Sequence, residues 1–207
     1  MKREMKRDPG KKIYMLGLAV CLILMGLQTV CLGEELQVKL SKETYVYDGN
    51  FHMPTVRITD QDGNPVDVKQ FEIMQPKSAQ AVGKYDIIVR KKDGSKSAET
   101  LSFQIIPKAT QLKQVKSDES GLQVTWNQTK QTLSGFQLQY ATDQKFRRNR
   151  RTLTIKNGKA VRKVIKKVET QETYYVRIRG YQNVKYNGKT IKLYSNWSKV
   201  KKIRMKS

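Results

Sequence analysis

Cysteine and histidine are scarce in this 207-residue chain, and their scarcity excludes several kinds of chemistry. Both cysteines, Cys21 and Cys31, lie in the first 33 residues, so no disulfide can form within residues 34–207. His52 is the only histidine, which excludes Cys/His nucleophile pairs and multi-histidine zinc sites in that segment. Without a disulfide, each folded unit after the leader must be stabilised by burial of apolar side chains.

Carboxylates are also few, and their clusters are typical of turns. The string DQDGN at residues 60–64 begins like a calcium-binding loop, because calcium needs several oxygen ligands around a tight turn. The glutamate that would complete such a loop is missing, so we interpret the string as a hairpin turn. His52 follows the turn Asp48-Gly49-Asn50 and is interpreted as a surface loop residue. We therefore expect no enzyme activity, no cofactor and no metal.

The first 33 residues are typical of a leader for export. Six lysines and arginines precede an apolar run from Ile13 to Leu32, which is the order of segments in a signal peptide. About 20 apolar residues are also enough to span a bilayer as a helix, with the basic end inside. A signal peptide cleaved before Glu34 and a retained N-terminal membrane anchor both stay open. Contact with a membrane is expected only through the hydrophobic helix over residues 13–32.

Positive charge is concentrated in the second half of the chain, which has a formal net charge of +23 in total. Residues 34–109 carry 11 basic and 11 acidic side chains, whereas residues 110–207 carry 24 basic and five acidic ones. A neutral segment followed by a cationic one predicts two domains and suggests an anionic partner for the second. The alternative is that the surface lysines and arginines only keep the protein soluble.

Short strand-like runs separated by turn residues fill the chain after the leader. Six such runs lie within residues 34–106, among them VKQFEI at residues 68–73, and seven lie within residues 107–207, the last two at Thr173–Tyr181 and Trp197–Met205, with Asp-Gly and other glycine turns between the runs. This spacing is typical of antiparallel sandwiches. We predict an all-β fold of two tandem β-sandwiches, divided at Ile106-Pro107. No Gly/Ser-rich spacer separates them, so we expect a stiff rod.

Residues 168–181 alternate with a period of two, which predicts a strand with one face in a core and one in water. The positions predicted to face the core are Tyr174, Val176 and Ile178. The positions predicted to face outward are Tyr175, Arg177 and Arg179. The outer face of this strand is therefore expected to be basic.

Residues 107–207 resemble a fibronectin type III domain, especially the lysine-rich versions in surface proteins of Gram-positive bacteria. The residues that carry the resemblance are Trp126 at the end of LQVTW, Tyr174, and the closing Tyr194-Ser195-Asn196-Trp197-Ser198. The resemblance implies that Trp126 packs across the core and that the hydroxyl of Tyr174 binds backbone upstream of it. Trp197 is expected to be a core or edge residue of the last strand. Thr170 stands where a proline is common in the family.

Residues 34–106 resemble bacterial immunoglobulin-like modules that carry Tyr-Asp-Gly near their start. The matching residues include Tyr45, Tyr47-Asp48-Gly49, Pro54, Gly83-Lys84-Tyr85 and Phe103. Modules of this kind are generally not catalytic. The resemblance therefore implies an immunoglobulin-like β-sandwich that acts as a spacer.

Four arginines in the sequence KFRRNRR form the strongest candidate binding site. They are Arg147, Arg148, Arg150 and Arg151. Guanidinium groups bind sulfate, phosphate and carboxylate groups through paired N–H donors. We expect this loop to form one cationic patch with Arg177, Arg179 and Tyr175, beside outward-facing Gln137 and Gln139. The alternative is a solvated charge run that has no ligand.

Together these patterns predict an exported, extracellular protein of the bacterial surface, either secreted or anchored by its uncleaved N terminus. The expected partner of its cationic fibronectin type III domain is an anionic cell-wall polymer or a sulfated glycan. Nucleic acid binding is expected to be incidental, because no nucleic-acid-binding motif accompanies the patch. Two alternatives stay open. One is a purely structural or protein-adhesive module that binds another surface protein, and the other is an accessory module of a carbohydrate-active system.

Overall fold

The structure describes residues 30–31, 36–93, 98–118 and 120–206. This part of the chain contains fifteen strands and one short 3₁₀ helix. The structure is a computed structural model. The predicted leader lies outside the described residues, apart from the short strand at its end. Within the described ranges, no helix has the length and apolarity needed to cross a bilayer.

The strands fall into two groups along the chain. The first group is β1 (Val30–Cys31), β2 (Gln37–Leu40), β3 (Thr44–Val46), β4 (Val56–Thr59), β5 (Phe71–Met74), β6 (Gly83–Lys91) and β7 (Ala98–Ile106). The second group is β8 (Leu112–Asp118), β9 (Gly121–Trp126), β10 (Gly135–Ala141), β11 (Arg151–Ile155), β12 (Arg162–Ile165), β13 (Thr173–Tyr186), β14 (Lys189–Tyr194) and β15 (Lys201–Arg204). The all-β fold class is confirmed. The domain boundary at residue 106 stays a prediction.

The first sandwich consists of two small sheets. One sheet has the strand order β1-β2-β4 and the other has the order β3-β7-β6-β5, in which β3 runs parallel to β7. Their inner faces enclose a core that includes Val38, Ile58, Ile87 and Phe103. Residues 68–70 were expected to belong to a strand, but they form a 3₁₀ helix because the carboxylate of Asp67 accepts from the N–H of Lys69 and caps it.

The second sandwich packs a three-stranded sheet against a five-stranded sheet. The three-stranded sheet has the order β12-β9-β8, and the five-stranded sheet has the order β11-β10-β13-β14 with β15 also paired to β13. Alternate residues point into a core that includes Leu122, Trp126, Phe136, Leu138 and Ile178. The outward residues of β10 and β13 therefore form one surface, on the outer face of the five-stranded sheet.

β13 is long enough to have a different partner along each part of its length. Its first residues pair with β15 and its last residues pair with β14. Between these two regions, the segment 195–198 takes the place of a strand beside β13. The buried hydroxyl of Ser195 accepts from the N–H of Gly180 at 3.0 Å. The buried hydroxyl of Ser198 accepts from the N–H of Ile178 at 3.1 Å. The N–H groups of the two serines donate to the carbonyls of the same two residues. The β13 backbone is thus satisfied across the break.

The hairpin formed by β13 and β14 reaches the first sandwich. The hydroxyl of Tyr186 donates to Asp86 on β6 at 2.7 Å, and Ser102 on β7 donates to the same carboxylate oxygen at 2.8 Å. Lys84 lies 4.6 Å from the centre of the Tyr186 ring. The sequence analysis missed β14, although the Asn187-Gly188 turn between alternating runs is a strong hairpin signal.

Candidate functional site: a cationic sheet face

Strand register places two arginines of β13 beside two glutamines of β10. Arg177 lies opposite Gln139, and Arg179 lies opposite Gln137. Nε and Nη2 of Arg177 both donate to Oε1 of Gln139, at 2.9 and 2.6 Å. Nε and Nη2 of Arg179 donate to Oε1 of Gln137 at 3.0 and 2.7 Å. Each glutamine therefore holds one guanidinium group in a fixed orientation by binding two of its N–H groups from the neighbouring strand.

Aromatic rings cover the flat faces of the same two guanidiniums. We call this stack the ladder, and its members in order are Tyr194, Arg179, Trp197, Arg177 and Phe146. The central carbon of Arg179 lies 4.0 Å from the Tyr194 ring centre and 4.4 Å from that of Trp197. The central carbon of Arg177 lies 4.5 Å from the Trp197 ring centre and 4.0 Å from that of Phe146. Guanidiniums stack favourably on aromatic rings in this geometry.

The ladder changes the expected role of its two arginines. The sequence predicted that both would extend freely outward beside Tyr175, whereas both are half-buried, stacked and hydrogen-bonded. Burial lowers the pKa of Arg177 below its usual value, and the positive charges of Arg179 and Arg150 lower it further. Burial is also the main cause that lowers the pKa of Arg179. Arginine nevertheless stays charged in proteins, so both cations remain on this face.

The segment between β10 and β11, residues 142–150, is the arginine loop. Its shape depends on Asp143, whose carboxylate accepts from the backbone N–H groups of Arg147 and Arg148 at 2.7 and 2.6 Å, and from that of Lys145 at 3.1 Å. The loop turns sharply, because Phe146 and Asn149 have positive φ values of 57° and 50°. Asp143 therefore stabilises the backbone conformation of the loop through charge-assisted hydrogen bonds.

The four predicted arginines at this loop are exposed, three within it and Arg151 as the first residue of β11. None of the four forms an ion pair with a carboxylate of the described residues. Arg150 is close enough to Arg177 to affect its pKa, so the loop and the sheet face share one electrostatic environment. Tyr175 lies on the same face, half-buried, with the Lys202 ammonium 5.9 Å from its ring centre.

The three predicted structural aromatics lie in different environments. Trp126 is 2% exposed and packs against Phe136, with ring centres 5.3 Å apart. Tyr174 is buried, and its hydroxyl accepts from the N–H of Glu169 at 3.0 Å. Trp197 precedes β15 rather than lying in it, and its ring packs on the outer face between two arginines. Its alternative placement in the core is therefore not observed.

Phe146 and Tyr194 are ladder residues that the sequence analysis did not assign to the site. Phe146 is 3% exposed although it lies in a loop between basic residues. A single aromatic residue among charged ones was the available signal, because a loop otherwise made of lysine and arginine has little reason to contain it. Tyr194 was noted only as part of the closing sequence string.

Other polar clusters in the described residues are bonded internally. Asp60 accepts from the N–H groups of Asp62 and Asn64 at 3.0 and 2.8 Å, which is the bonding of a turn. His52 contacts the Asp48 carboxylate at 2.9 Å and stacks on Tyr45. Among the residues with described positions, no group of three or more histidine, cysteine, aspartate or glutamate side chains is placed to hold a metal ion.

A groove of about 390 Å³ lies where the two sandwiches meet, lined by residues that include Tyr47, Lys108, Asn127 and Gln131. The side-chain amide of Gln131 already has partners within the chain. The Gln131 side chain accepts from the N–H of Lys108 at 2.9 Å and donates to the carbonyl of the same residue at 2.7 Å. The carbonyl of Asn127 accepts from Thr110. These bonds stabilise the joint.

No protein-family model matches the chain, and no curated protein matches it. Solved structures do share similarity with it, and two of them are described here. The chicken interferon gamma receptor alpha chain is 9% identical, with a TM-score of 0.38, over 60% of this chain and 66% of the receptor chain. The FN1–FN3 domains of chicken CNTN1 are 12% identical, with a TM-score of 0.40, over 84% of this chain and 56% of that one. The match spans less than two thirds of either solved chain.

Proposed function

We propose that the chain is an exported, non-catalytic surface protein whose second sandwich binds polymers that carry sulfate or phosphate groups. The first sandwich acts as a spacer. The observation that carries the proposal is the set of four exposed arginines that form no ion pair with a carboxylate of the described residues, beside a sheet face that holds two more guanidiniums. Guanidiniums offer paired donors that match the oxygens of such groups.

The distribution of carboxylates supports this reading. The five acidic residues after residue 109 are Asp118, Glu119, Asp143, Glu169 and Glu172. Asp143 is bonded to backbone N–H groups, and Asp118 is bonded to Ser120 and Gln123. In the first sandwich, by contrast, positive and negative residues are balanced and Arg90 lies 3.8 Å from Glu72. Positive charge on the second sandwich is therefore left to act on a partner.

Binding of this kind must depend on salt. A cation that neutralises a polymer anion releases condensed counterions, so affinity falls steeply as the salt concentration rises. Exposed charges are also screened beyond about 8 Å at physiological ionic strength. An anionic cell-wall polymer and a sulfated host glycan share the required chemistry, and both would meet an exported protein.

The experiment compares two variants that lose the same four positive charges. In the loop variant, Arg147, Arg148, Arg150 and Arg151 become serine. In the control variant, four exposed lysines of the three-stranded sheet and the residue after it, namely Lys113, Lys116, Lys163 and Lys166, become serine. The full chain is eluted from immobilised heparin with a salt gradient. We expect the loop variant to elute at clearly lower salt and the control variant to elute close to wild type.

Equal shifts of both variants would mean that only net charge matters, and no shift in either would contradict polyanion binding altogether.

The second candidate is a structural or protein-adhesive module. It is favoured by the ladder, because the stacked aromatic rings and the hydrogen-bonded glutamines already engage Arg177 and Arg179 in stabilising the sheet. On that reading, attachment to the bacterial surface is retained when the four loop arginines are replaced.

A further inference from the structure

We propose that Phe146 is the positioning residue of the polyanion site, and that it holds the arginine loop in its binding conformation before any ligand arrives. This inference rests on the proposed function and deepens it. It implies that affinity depends on the shape of the loop as well as on its charge. A variant that keeps every arginine but loses the ring is then expected to bind polyanions weakly.

The backbone at Phe146 provides the first argument. Its φ of 57° lies in the left-handed region, where the side chain of a bulky residue is strained. Asn149, three residues on, has a φ of 50°, but asparagine tolerates this conformation. A strained bulky residue persists only where the surrounding structure stabilises it strongly, and such residues cluster at functional sites.

The contacts of the Phe146 ring provide the second argument. The ring is 3% exposed and lies 4.0 Å from the central carbon of Arg177, at the end of the ladder. The N–H of Phe146 donates to the carbonyl of Asp143 at 3.1 Å. The ring thus attaches the middle of the loop to the sheet face, while Asp143 closes its beginning.

The positions of the cations follow from this attachment. Because the Phe146 side chain is buried, its neighbours Lys145 and Arg147 are exposed on either side of it. The carbonyl of Arg148 accepts from the N–H of Thr142 at 3.2 Å, which fixes the return of the loop. The loop backbone that carries these cations is therefore fixed relative to Arg177, with Arg150 close enough to affect its pKa, and less conformational freedom is lost when a ligand binds.

The ligand class follows from the guanidinium groups and their number. Three arginines of the loop, together with Arg151, present planar donors close together, which suits a polymer with closely repeated tetrahedral oxyanions. Sulfated glycans and phosphate-rich polymers share that chemistry. The experiment below therefore uses a heparin oligosaccharide as one probe and inorganic polyphosphate as the other.

The test measures the dissociation constant of the full chain for each probe at about 150 mM salt. The variants are Phe146→Ala, Phe146→Leu, which keeps apolar volume but has no π face, and Phe146→Tyr, which keeps the ring. We expect Phe146→Ala to weaken binding about tenfold, because the loop becomes mobile without the ring. We expect Phe146→Leu to weaken binding less, because leucine keeps apolar volume at this position. We expect Phe146→Tyr to bind like wild type. The salt dependence should become shallower in the alanine variant, since fewer cations contact the polymer at once.

Circular dichroism and a cooperative thermal unfolding transition show whether each variant is folded, and only folded variants are compared. If Phe146→Ala does not fold, Phe146→Leu alone decides the question. Wild-type affinity and salt dependence in a folded alanine or leucine variant would overturn the inference and leave the proposed function standing. Failure of the wild-type chain to bind either probe would overturn the proposed function itself. Binding to one probe alone identifies the source of the oxyanions.

Discussion

Replacing Trp197 with alanine is expected to destabilise the second sandwich although Trp197 lies outside its core. The indole is the middle ring of the ladder and separates two guanidiniums, at 4.5 Å from Arg177 and 4.4 Å from Arg179. Its removal leaves one face of each cation uncovered. It also leaves two positive charges on one sheet face without the ring between them.

The size of the effect follows from these two contacts. A cation–π interaction contributes about 0.5–1 kcal/mol at an exposed site and about 2 kcal/mol or more when desolvated. Both guanidiniums are half-buried, so each contact falls between these limits. We expect the free energy of unfolding to fall by about 2 kcal/mol, which corresponds to a decrease in Tm of roughly 10 °C for a domain of this size.

The chain offers a clean optical probe for this measurement. It contains two tryptophans, Trp126 and Trp197, both in the second sandwich. In the alanine variant, the fluorescence of Trp126 alone reports unfolding, and Trp126 is buried in the core of that sandwich. Denaturant titration followed by fluorescence therefore isolates the stability of the second sandwich from that of the first.

A double-mutant cycle with Arg179→Met separates the stacking energy from simple loss of packing. Methionine keeps an unbranched apolar side chain but removes the guanidinium. We expect a coupling energy between Trp197 and Arg179 of about 1 kcal/mol. A loss of stability below about 0.3 kcal/mol in Trp197→Ala, or a coupling energy indistinguishable from zero, would refute the stabilising role of the ladder.

Two further predictions concern hydrogen bonds that support the same face. Ser198→Ala leaves the buried N–H of Ile178 without its acceptor, so we expect a loss of about 1–3 kcal/mol in the free energy of unfolding, with a smaller loss for Ser198→Thr; an alanine variant as stable as wild type would contradict this. Backbone N–H groups hold the pKa of Asp143 below its usual 3.8, so its stabilising contribution is present above that pH and is lost only as the pH falls through the lowered value. The NMR shifts of the amides bonded to Asp143 should therefore titrate with a midpoint below 3.8, and a midpoint at or above that pH would show that the loop is not capped in this way.

Much of the fold was predictable because strands leave a local signature. The alternation around Tyr174 predicted both the strand β13 and its outward arginines, since successive side chains of a strand point to opposite faces. The segment at residues 68–70 was assigned wrongly because one hydrogen bond from Asp67 decides between a strand and a 3₁₀ turn.

The hairpin that ends in Tyr186 shows a different kind of limit. Its strands were detectable from the Asn187-Gly188 signal, but its contact with Asp86 joins residues 100 positions apart. No local pattern predicts which surfaces meet after the chain has folded. The stiffness expected of the joint stays a prediction, and the hydroxyl that joins the two sandwiches belongs to Tyr186, a side chain that the sequence analysis did not consider.

The amino-acid sequence was enough to predict that the chain is all-β, that positive charge is concentrated after residue 109, and that arginines lie in one loop and on one strand face. These properties depend on composition and on local periodicity. That Arg177 and Arg179 are stacked and hydrogen-bonded, while the loop arginines stay exposed, could be seen only in the folded chain. That distinction depends on Phe146, Trp197 and the glutamines of a neighbouring strand, which are brought together by folding and are distant along the chain.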